Sequence, residues 1–315
     1  MSIVTIRKPR IAITVGDPAG IGPEIAEKAA ADARVREVCE PVIYGPPAGS
    51  RFDAGVLSAG AGRAAYDAIC NAVRDAQAKR VDAVATAPVN KLAFAKAGLP
   101  WKGHTDLLGE LTGAPQVAMM FWSEPLKVVL ATVHVPLGEV PRVLTRETLD
   151  GIIDLTAREF PRFRRAEALR LPDPARHAQV DGGLQASVRL AMAGLNPHAG
   201  EDGVIGSEEQ RVIRPAVEAA RAKGINLQGP FPGDTIFVRA SRGEFDAVIA
   251  CYHDQGLIPV KLLAFGTAVN VTLGLPIVRT SVDHGTAFDI AGKGIADPSS
   301  MIEAVLLAAR LANSG

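Results

Sequence analysis

Short apolar runs alternate along the chain with longer segments in which apolar residues recur every three or four positions. The short runs predict strands, and the longer segments predict helices. The predicted strands are Ile11–Val15, Pro41–Tyr44, Ala83–Ala87, Val117–Phe121, Lys127–His134, Ser187–Gly194, Ala247–Tyr252 and Val269–Leu273. The predicted helices are a segment after Glu24, then Ala61–Lys79, Thr148–Glu159, Glu208–Lys223 and Ser300–Ala312. This alternation favours a doubly wound α/β protein, with residues 164–185 as an irregular surface excursion.

Composition narrows the class of protein. The chain has 315 residues, 48% hydrophobic and 22% charged, which is typical of a globular protein with about two domains. Lys and Arg balance Asp and Glu at 34 each, so net charge gives no reason to expect a nucleic-acid or membrane partner. Three cysteines without a close pair argue against a disulfide framework. With no apolar run of about 18 residues and no secretory leader, we expect a cytoplasmic protein.

Histidines follow three of the predicted strands at their carboxyl ends. His134, His198 and His253 come after the strands that begin at Lys127, Ser187 and Ala247. Open α/β sheets bind their ligands at this edge, and three imidazoles there can hold one divalent cation. The alternative is three unrelated loop histidines.

Two further groups of polar residues suggest an anionic substrate. His104 and Thr105 open a predicted helix, whose free amides suit an anion, although Thr105 can equally be an ordinary N-cap. Lys261, Asn270 and Arg279 lie in apolar surroundings, where they can clamp a phosphate. Taken singly, each of these three is more often a solvated surface residue.

The stretch Asp283–Gly294 is the most informative one for a cofactor. Its glycines allow close approach of a flat ligand, and Asp289 can accept hydrogen bonds from both ribose hydroxyls of adenosine. The same carboxylate would repel a 2′-phosphate, which favours NAD over NADP. The alternative is a glycine-rich turn before the last helix. The earlier loop Gly16–Gly22 does not spell the G-x-G-x-x-G fingerprint and is interpreted as a tight turn.

Several separated motifs resemble the 4-hydroxythreonine-4-phosphate dehydrogenase family, and the resemblance spans nearly the whole chain. The motifs are Gly16-Asp17-Pro18-Ala19-Gly20-Ile21-Gly22-Pro23-Glu24, Gly103-His104-Thr105, Leu195-Asn196-Pro197-His198-Ala199-Gly200-Glu201, Gly229-Pro230 with Asp234-Thr235, Tyr252-His253-Asp254-Gln255-Gly256, and Val271–Pro276 through Asp283–Ala287. The loop from His284 also resembles the adenosine-binding loop of isocitrate and isopropylmalate dehydrogenases.

The resemblance implies a fold and a role for each matching residue. The fold would have two α/β/α domains with the active site in the cleft between them: residues 1–100 with 255–315 carrying the NAD loop, and 101–254 carrying the metal ligands and dimer interface. The implied residues are His104, Thr105, Lys261, Asn270 and Arg279 for substrate; His134, His198 and His253 for the metal; and His284, Gly285, Thr286, Ala287 and Asp289 for NAD. The active site would be shared by the two subunits of a homodimer, with metal histidines from both.

The implied reaction is NAD-dependent oxidation of 4-phosphooxy-L-threonine to 2-amino-3-oxo-4-phosphooxybutanoate, which decarboxylates to 3-amino-2-oxopropyl phosphate. Zinc is the expected metal, with magnesium, manganese or cobalt as alternatives. Asp254 and Lys91 are candidate general bases, and Asp254 can instead orient a ligand histidine. Alternatives are D-threonate or D-erythronate 4-phosphate as substrate, a cyclic dihydrodiol, or non-enzymatic binding of phosphorylated hydroxy acids. Relative to the family, residues 44–58 look shortened and 164–185 extended.

Overall fold

The computed structural model describes residues 7–101, 103–168 and 187–314. The chain forms two compact units: the first comprises Met1–Val117 with Leu275–Gly315, and the second comprises Ala118–Gly274. Both boundaries lie further along the chain than the predicted domain boundaries. Lys261 and Asn270, which the predicted division assigns to the first domain, therefore belong to the second unit.

Helices and strands alternate through most of the described chain. The strands are β1 Arg10–Thr14, β2 Glu40–Tyr44, β3 Ala83–Thr86, β4 Ala118–Trp122, β5 Lys127–Leu130, β6 Leu190–Ala193, β7 Leu227–Phe231, β8 Ala247–Ala250, β9 Val269–Leu273 and β10 Arg279–Ser281. The helices are α1 Gly22–Ala31, α2 Ala33–Val38, α3 Ala59–Gln77, α4 Lys91–Lys96, α5 His104–Thr112, α6 Val140–Val143, α7 Arg146–Ala168, α8 Arg214–Ala222, α9 Gly233–Ser241, α10 His253–Ala264 and α11 Ser299–Asn313.

In the first unit, a parallel sheet in the order β2-β1-β3-β10 is covered on both faces. Val84 of β3 packs in a cluster with Ala72 of α3. Ala85, which points to the other face, is in register with Thr280, whose hydroxyl donates to the Ala304 carbonyl of α11 (2.8 Å). Because successive strand residues face opposite sides, α3 and α11 cover opposite faces of the sheet. This burial explains the continuous apolar runs in the sequence.

In the second unit, the strands follow the order β9-β4-β5-β8-β6-β7. Strand β4 is antiparallel to β9 and β5, whereas β5, β8, β6 and β7 run parallel to one another. Val128 and Leu130 of β5 pack with Leu257 and Val260 of α10, and Ile236 of α9 joins the same cluster. The parallel strands β5, β8 and β6 are thus fixed side by side, with their carboxyl ends at one edge.

The longest helix differs from the prediction. Helix α7 runs from Arg146 to Ala168 and continues through Pro161, so residues 164–168 are helical rather than irregular. Phe160 and Phe163 are buried beside the proline, and their burial stabilises a helix that proline alone would interrupt. The rest of the predicted excursion, residues 169–185, lies outside the described residues. Nowhere in the described chain is a helix both long and apolar enough to cross a membrane.

The contact between α3 and α4 gives a test of the packing. A Cβ added at Gly62 would lie 2.2 Å from the Ala93 carbonyl oxygen, whereas one at Gly60 would meet nothing closer than 3.9 Å. We expect Gly62→Ala to lower the free energy of unfolding by about 2 kcal/mol or more, because the backbone oxygen cannot move away as a side chain can. Gly60→Ala, the same change on the same helix, should leave it unchanged or slightly raised. Urea unfolding of both variants measures the difference, and equal midpoints would contradict this packing.

Candidate active site

Arg279 places a buried cation at the carboxyl end of the first unit's sheet. Its side chain is 2% exposed, and its Nη2 donates a 2.6 Å hydrogen bond to the Thr86 hydroxyl at the end of β3. Burial lowers the pKa of Arg279 to about 9. A guanidinium in such surroundings gains strongly from a nearby anion, since burial weakens the screening of their attraction. This position suits a phosphate or carboxylate.

His104 lies near Arg279 at the first position of α5. The helix is capped by Gly103, so the alternative in which Thr105 is the N-cap is wrong. Burial, with the charge of Arg279 as a second cause, holds the pKa of His104 well below its usual value. Its Nε2 is buried and has no hydrogen-bond partner in the described part of the chain. A neutral imidazole with an unused ring nitrogen is suited to a polar ligand, and Lys91 lies beside the adjoining Gly103.

The loop from His284 is held at both ends by the β1–α1 region. The backbone N–H of Ile21 donates to the Thr286 carbonyl oxygen (3.0 Å). A Cβ on Gly20 would lie 2.8 Å from that same oxygen, so the two segments touch through backbone. The tight turn predicted at Gly16–Gly22 is therefore the inner support of the candidate cofactor loop.

The far end of this loop is fixed by α1. The Glu24 carboxylate accepts the Ala296 N–H (2.8 Å), and the Lys28 ammonium donates to the Gly294 and Ala296 carbonyl oxygens (3.1 and 2.8 Å). Lys28 also pairs with Glu24 at 2.7 Å. Such anchoring keeps an otherwise exposed glycine-containing loop in one conformation.

Two residues of the loop face open space. Asp289 is exposed, and a Cβ added at Gly285 would meet nothing within 4 Å. Since neither packing nor a positive φ requires glycine at position 285, the room left there is available to a ligand. These features fit the adenosine end of NAD.

In the second unit, the three predicted metal-binding histidines follow three adjacent parallel strands, as the sequence indicates. His134 comes after β5, His253 begins α10 after β8, and His198 lies in the loop after β6. The rings of His134 and His253 lie 5.6 Å apart between centroids. The strand order alone accounts for this pair, because β5 and β8 are hydrogen-bonded neighbours.

His198 is not brought into that pair. Its Nδ1 lies 2.8 Å from the Glu201 carboxylate, which raises the pKa of the exposed imidazole. Within the described residues, no three His, Cys, Asp or Glu side chains are grouped so as to hold a metal ion. One chain therefore fits two of the three expected ligands, and the third must come from elsewhere for the predicted site to form.

Backbone strain is concentrated in these segments. Residues 198–202 form a left-handed turn with φ values of 53, 54, 81, 41 and 51°. Each non-glycine residue in this conformation costs about 1–2 kcal/mol. Of the seven non-glycine residues with positive φ in the described chain, six lie in the candidate site segments: His134, His198, Ala199, Glu201, Asp202 and Ala287. Such clustering is typical of functional sites.

The remaining predicted residues are positioned as follows. Asn270 lies in β9, and its Oδ1 is buried without a hydrogen-bond partner in the described residues. Lys261 is in the last turn of α10, half-buried, and Thr105 is half-buried at the second position of α5. The Oδ1 of Asp254 lies 2.7 Å from the Nδ1 of His253, within hydrogen-bonding distance. This geometry favours an orienting role for Asp254.

Sequence reasoning missed three residues that support the site. Asp17 is a buried carboxyl whose pKa is raised by burial, and its Oδ2 has no partner in the described residues. Gln255 links Cys251 N–H to the Gly194 carbonyl oxygen through two 2.7 Å bonds. Glu209 is buried against the loop of His198. The first two lie in the quoted motifs, whereas a buried Glu in a helical segment leaves no signal in the hydrophobic pattern.

Comparison with known proteins assigns a family to this arrangement. The model of the family "Pyridoxal phosphate biosynthetic protein PdxA" matches residues 6–170 and 175–308. A 4-hydroxythreonine-4-phosphate dehydrogenase of Desulforapulum autotrophicum is 43% identical, with 97% of this chain and 96% of that protein covered. A D-threonate 4-phosphate dehydrogenase of Cupriavidus necator is 40% identical, with 96% and 97% covered.

Solved structures agree on the fold. The crystal structure of 4-hydroxythreonine-4-phosphate dehydrogenase from Klebsiella pneumoniae has a TM-score of 0.80 at 37% identity, covering 96% of this chain and 99% of that one. A β-decarboxylating dehydrogenase from Thermococcus kodakarensis reaches 0.50 at 17% identity, covering 93% and 80%. The predicted α/β fold of the isocitrate and isopropylmalate dehydrogenase type is confirmed.

The lowered pKa of His104 leads to a prediction about pH. Its folded pKa lies below that of the unfolded chain, so the unfolded state takes up the proton more readily as pH falls through about 6.5. Stability should therefore be lost below that pH, at no more than about 1.4 kcal/mol per pH unit from this group. With both proteins freed of metal by a chelator, we expect the stability of His104→Gln to fall less steeply than that of wild type between about pH 7.5 and 5.5.

Urea unfolding at each pH measures this slope. Gly60→Ala, which changes no titratable group, should keep the wild-type slope. Identical slopes for His104→Gln and wild type would show that His104 does not titrate as its burial requires.

Proposed function

The chain belongs to the family of the pyridoxal phosphate biosynthetic protein PdxA, and from this premise we propose that it is an NAD- and divalent-metal-dependent dehydrogenase of a phosphorylated hydroxy acid. The proposed substrate is 4-phosphooxy-L-threonine, oxidised at C3 to 2-amino-3-oxo-4-phosphooxybutanoate. This β-keto acid then loses carbon dioxide to give 3-amino-2-oxopropyl phosphate.

The observation that carries the proposal is the pair formed by the buried Arg279 and the half-buried His104, whose Nε2 atom is buried. A guanidinium 2% exposed, beside an imidazole whose Nε2 has no partner in the described residues, is arranged for an anionic, hydroxyl-bearing ligand. Asn270, with a buried and unused Oδ1, and Lys261 complete the proposed phosphate and substrate contacts. Thr105 would add its hydroxyl at the start of α5.

The proposed metal ligands are His134 and His253 from one chain and His198 from a second copy. The 5.6 Å ring separation of the first two, and the 2.7 Å contact that orients His253 through Asp254, support this assignment. Three imidazoles favour zinc, with cobalt, manganese or magnesium as alternatives. His198 Nδ1 is engaged by Glu201, which leaves Nε2 as its ligating atom.

A second copy of the chain is supported by exposed apolar side chains that follow each of the three histidines. They are Val135, Leu137, Val204, Ile205, Ile258, Leu262, Leu263 and Phe265. Val204 and Phe265 are each 82% exposed, which is unfavourable for large apolar groups in water. We therefore propose a homodimer whose interface adjoins the metal ligands.

The free cysteines Cys39, Cys70 and Cys251 accord with a cytoplasmic location.

The loop residues His284, Gly285, Thr286, Ala287 and Asp289 are proposed to bind NAD. Anchoring of this loop by Ile21 and Lys28, together with the open space at Gly285, supports the assignment. The exposed Asp289 carboxylate favours NAD over NADP, because it would accept ribose hydroxyls and repel a 2′-phosphate.

Each residue then has a distinct task in the mechanism. Bound NAD supplies a hydride acceptor, and the bound cation supplies Lewis acidity toward substrate oxygens. Arg279 and Lys261 fix the anionic groups, while His104 and Thr105 orient the substrate through hydrogen bonds. Since Asp254 is already engaged with His253, Lys91 beside Gly103 is the proposed acceptor of the C3 hydroxyl proton, a role that requires its neutral amine form.

D-Threonate 4-phosphate is a second candidate substrate. The relative from Cupriavidus necator that bears this activity in its name is 40% identical, close to the 43% of the 4-hydroxythreonine-4-phosphate dehydrogenase from Desulforapulum autotrophicum. The two acids, and D-erythronate 4-phosphate, share the phosphate and hydroxyl that the site recognises. They differ from one another in the amino group and in stereochemistry.

NADH formation tests the function directly. We expect the purified protein to form NADH with 4-phosphooxy-L-threonine, more slowly with D-threonate and D-erythronate 4-phosphates, and not after chelation until metal is restored. A faster rate with either sugar acid would reassign the substrate. NADH formation unaffected by the chelator would refute the metal role. If none of the three acids reacts, the alternative of a non-enzymatic binding protein for phosphorylated hydroxy acids would be favoured.

The cofactor loop makes a separate prediction. Gly285→Ala adds a methyl group where the chain has open space, so we expect unchanged stability but a raised KM for NAD, by about tenfold. The KM for the phosphorylated substrate should change little. Gly60→Ala is the matched control on α3. If the KM for NAD does not change, Gly285 does not face the cofactor.

A further inference from the structure

Glu209 is a buried carboxylate to which the proposed mechanism gives no task. Its side chain is 1% exposed, although glutamate is almost always solvated. It lies at the start of a π-helical turn, Glu209–Ile213, that precedes α8. Such turns are rare and are frequently found at functional sites. A buried carboxylate retained at this position calls for a specific partner.

The partners of Glu209 are the residues that lead into the left-handed turn. Its Oε1 accepts the backbone N–H groups of Leu195 and Asn196, both at 2.7 Å, and its Oε2 accepts Asn196 Nδ2 at 2.8 Å. Hydrogen bonds to a charged acceptor are stronger than those between neutral groups. Three of them converge on the two residues that precede Pro197 and His198.

The loop also folds closely around this carboxylate. A Cβ at Gly200, in the middle of the left-handed turn, would lie 2.7 Å from Glu209 Oε2. A Cβ at Gly194, at the start of the loop, would lie 3.2 Å from Oε1. The carboxylate therefore contacts the loop on both sides of His198, and the conformation around it is fixed from within.

The strained turn needs such a support. His198, Ala199, Glu201 and Asp202 all have positive φ, and chains adopt this conformation over several residues only when their surroundings impose it. The two N–H groups held by Glu209 come immediately before the turn and set its starting direction. Removing the carboxylate would allow the backbone to relax and the His198 imidazole to move.

We propose that Glu209 is a positioning residue that holds His198 in the left-handed turn from which it binds the divalent cation. This inference rests on the proposed function, in which His198 is a metal ligand. Glu209 itself does not reach the metal or the substrate. Its contribution should appear as metal affinity rather than as a direct effect on the chemical step.

Co²⁺ binding by the metal-free full-length protein tests the proposal, with the visible absorption of bound Co²⁺ as the readout. We expect Glu209→Gln to weaken Co²⁺ affinity about 10- to 100-fold, the range found when partners of ligating groups are removed. Amide hydrogen exchange at Leu195 and Asn196 should become faster in the same variant, because their acceptor is weakened. Glu218→Gln, the same change at an exposed position of α8, should match wild type in both measurements.

A stability-matched variant separates positioning from general loss of structure. Val217→Ala removes buried methyl groups from α8 and should lower the melting temperature without changing Co²⁺ affinity. Asn196→Ala removes one of the three bonds to Glu209, together with the 2.8 Å bond from Asn196 Nδ2 to Glu208, and it leaves the two backbone bonds to Glu209 in place. It is the second test if Glu209→Gln folds poorly. It should weaken Co²⁺ binding in the same direction.

His198→Ala in the same series distinguishes failure of the positioning role of Glu209 from failure of the metal role of His198. If His198→Ala weakens Co²⁺ binding but Glu209→Gln and Asn196→Ala do not, Glu209 is not a positioning residue and the proposed function stands. If Val217→Ala weakens binding as much as Glu209→Gln, the effect is general destabilisation and the inference is overturned. If His198→Ala leaves affinity unchanged, the metal role of His198 fails, and this inference fails with it.

Discussion

The hydrogen-bonded ladder that holds β5, β8 and β6 side by side is the constraint on which the second unit's chemistry depends. Parallel strands present their carboxyl ends at one edge, so segments that are far apart in sequence arrive there together. His134 and His253 come from neighbouring strands and are already within contact distance. In the first unit, Thr86 ends β3, and the side chain of Arg279, the first residue of β10, reaches it along the neighbouring parallel strand.

These positions are maintained against unfavourable local energies. The left-handed turn after β6 costs about 1–2 kcal/mol for each non-glycine residue, and a buried guanidinium at Arg279 carries a desolvation cost. The compensation comes from polar groups that sit behind the site. Glu209 and Gln255 fix the loop of His198, and Glu24 and Lys28 fix the loop of His284. The polar side chains that fix the backbone are thus found next to the segments whose backbone is most strained.

The sequence predicts the elements whose burial follows a simple period and misses features that depend on distant partners. Buried strands such as Val269–Leu273 are found at their observed bounds, and the histidines are correctly placed at strand ends. The extension of α7 through Pro161 is missed, because packing of Phe160 and Phe163 outweighs a local helix breaker. The role of Glu209 is missed because its partners lie 13 and 14 residues away in another element.

Under the proposed function, the separation of His198 from the His134–His253 pair also reflects subunit association, which the sequence pattern of one chain does not encode. The third ligand then comes from a second copy, and the exposed apolar residues beside all three histidines would be buried in the same event. Val204 and Ile205 lie just beyond the left-handed turn that begins at His198, so an interface that covers them would also constrain the position of the imidazole. Subunit association and cation binding would then stabilise one another, since each requires the same loop conformation. A rigid, internally supported turn favours this coupling, because a flexible loop would lose much of the association energy in being ordered.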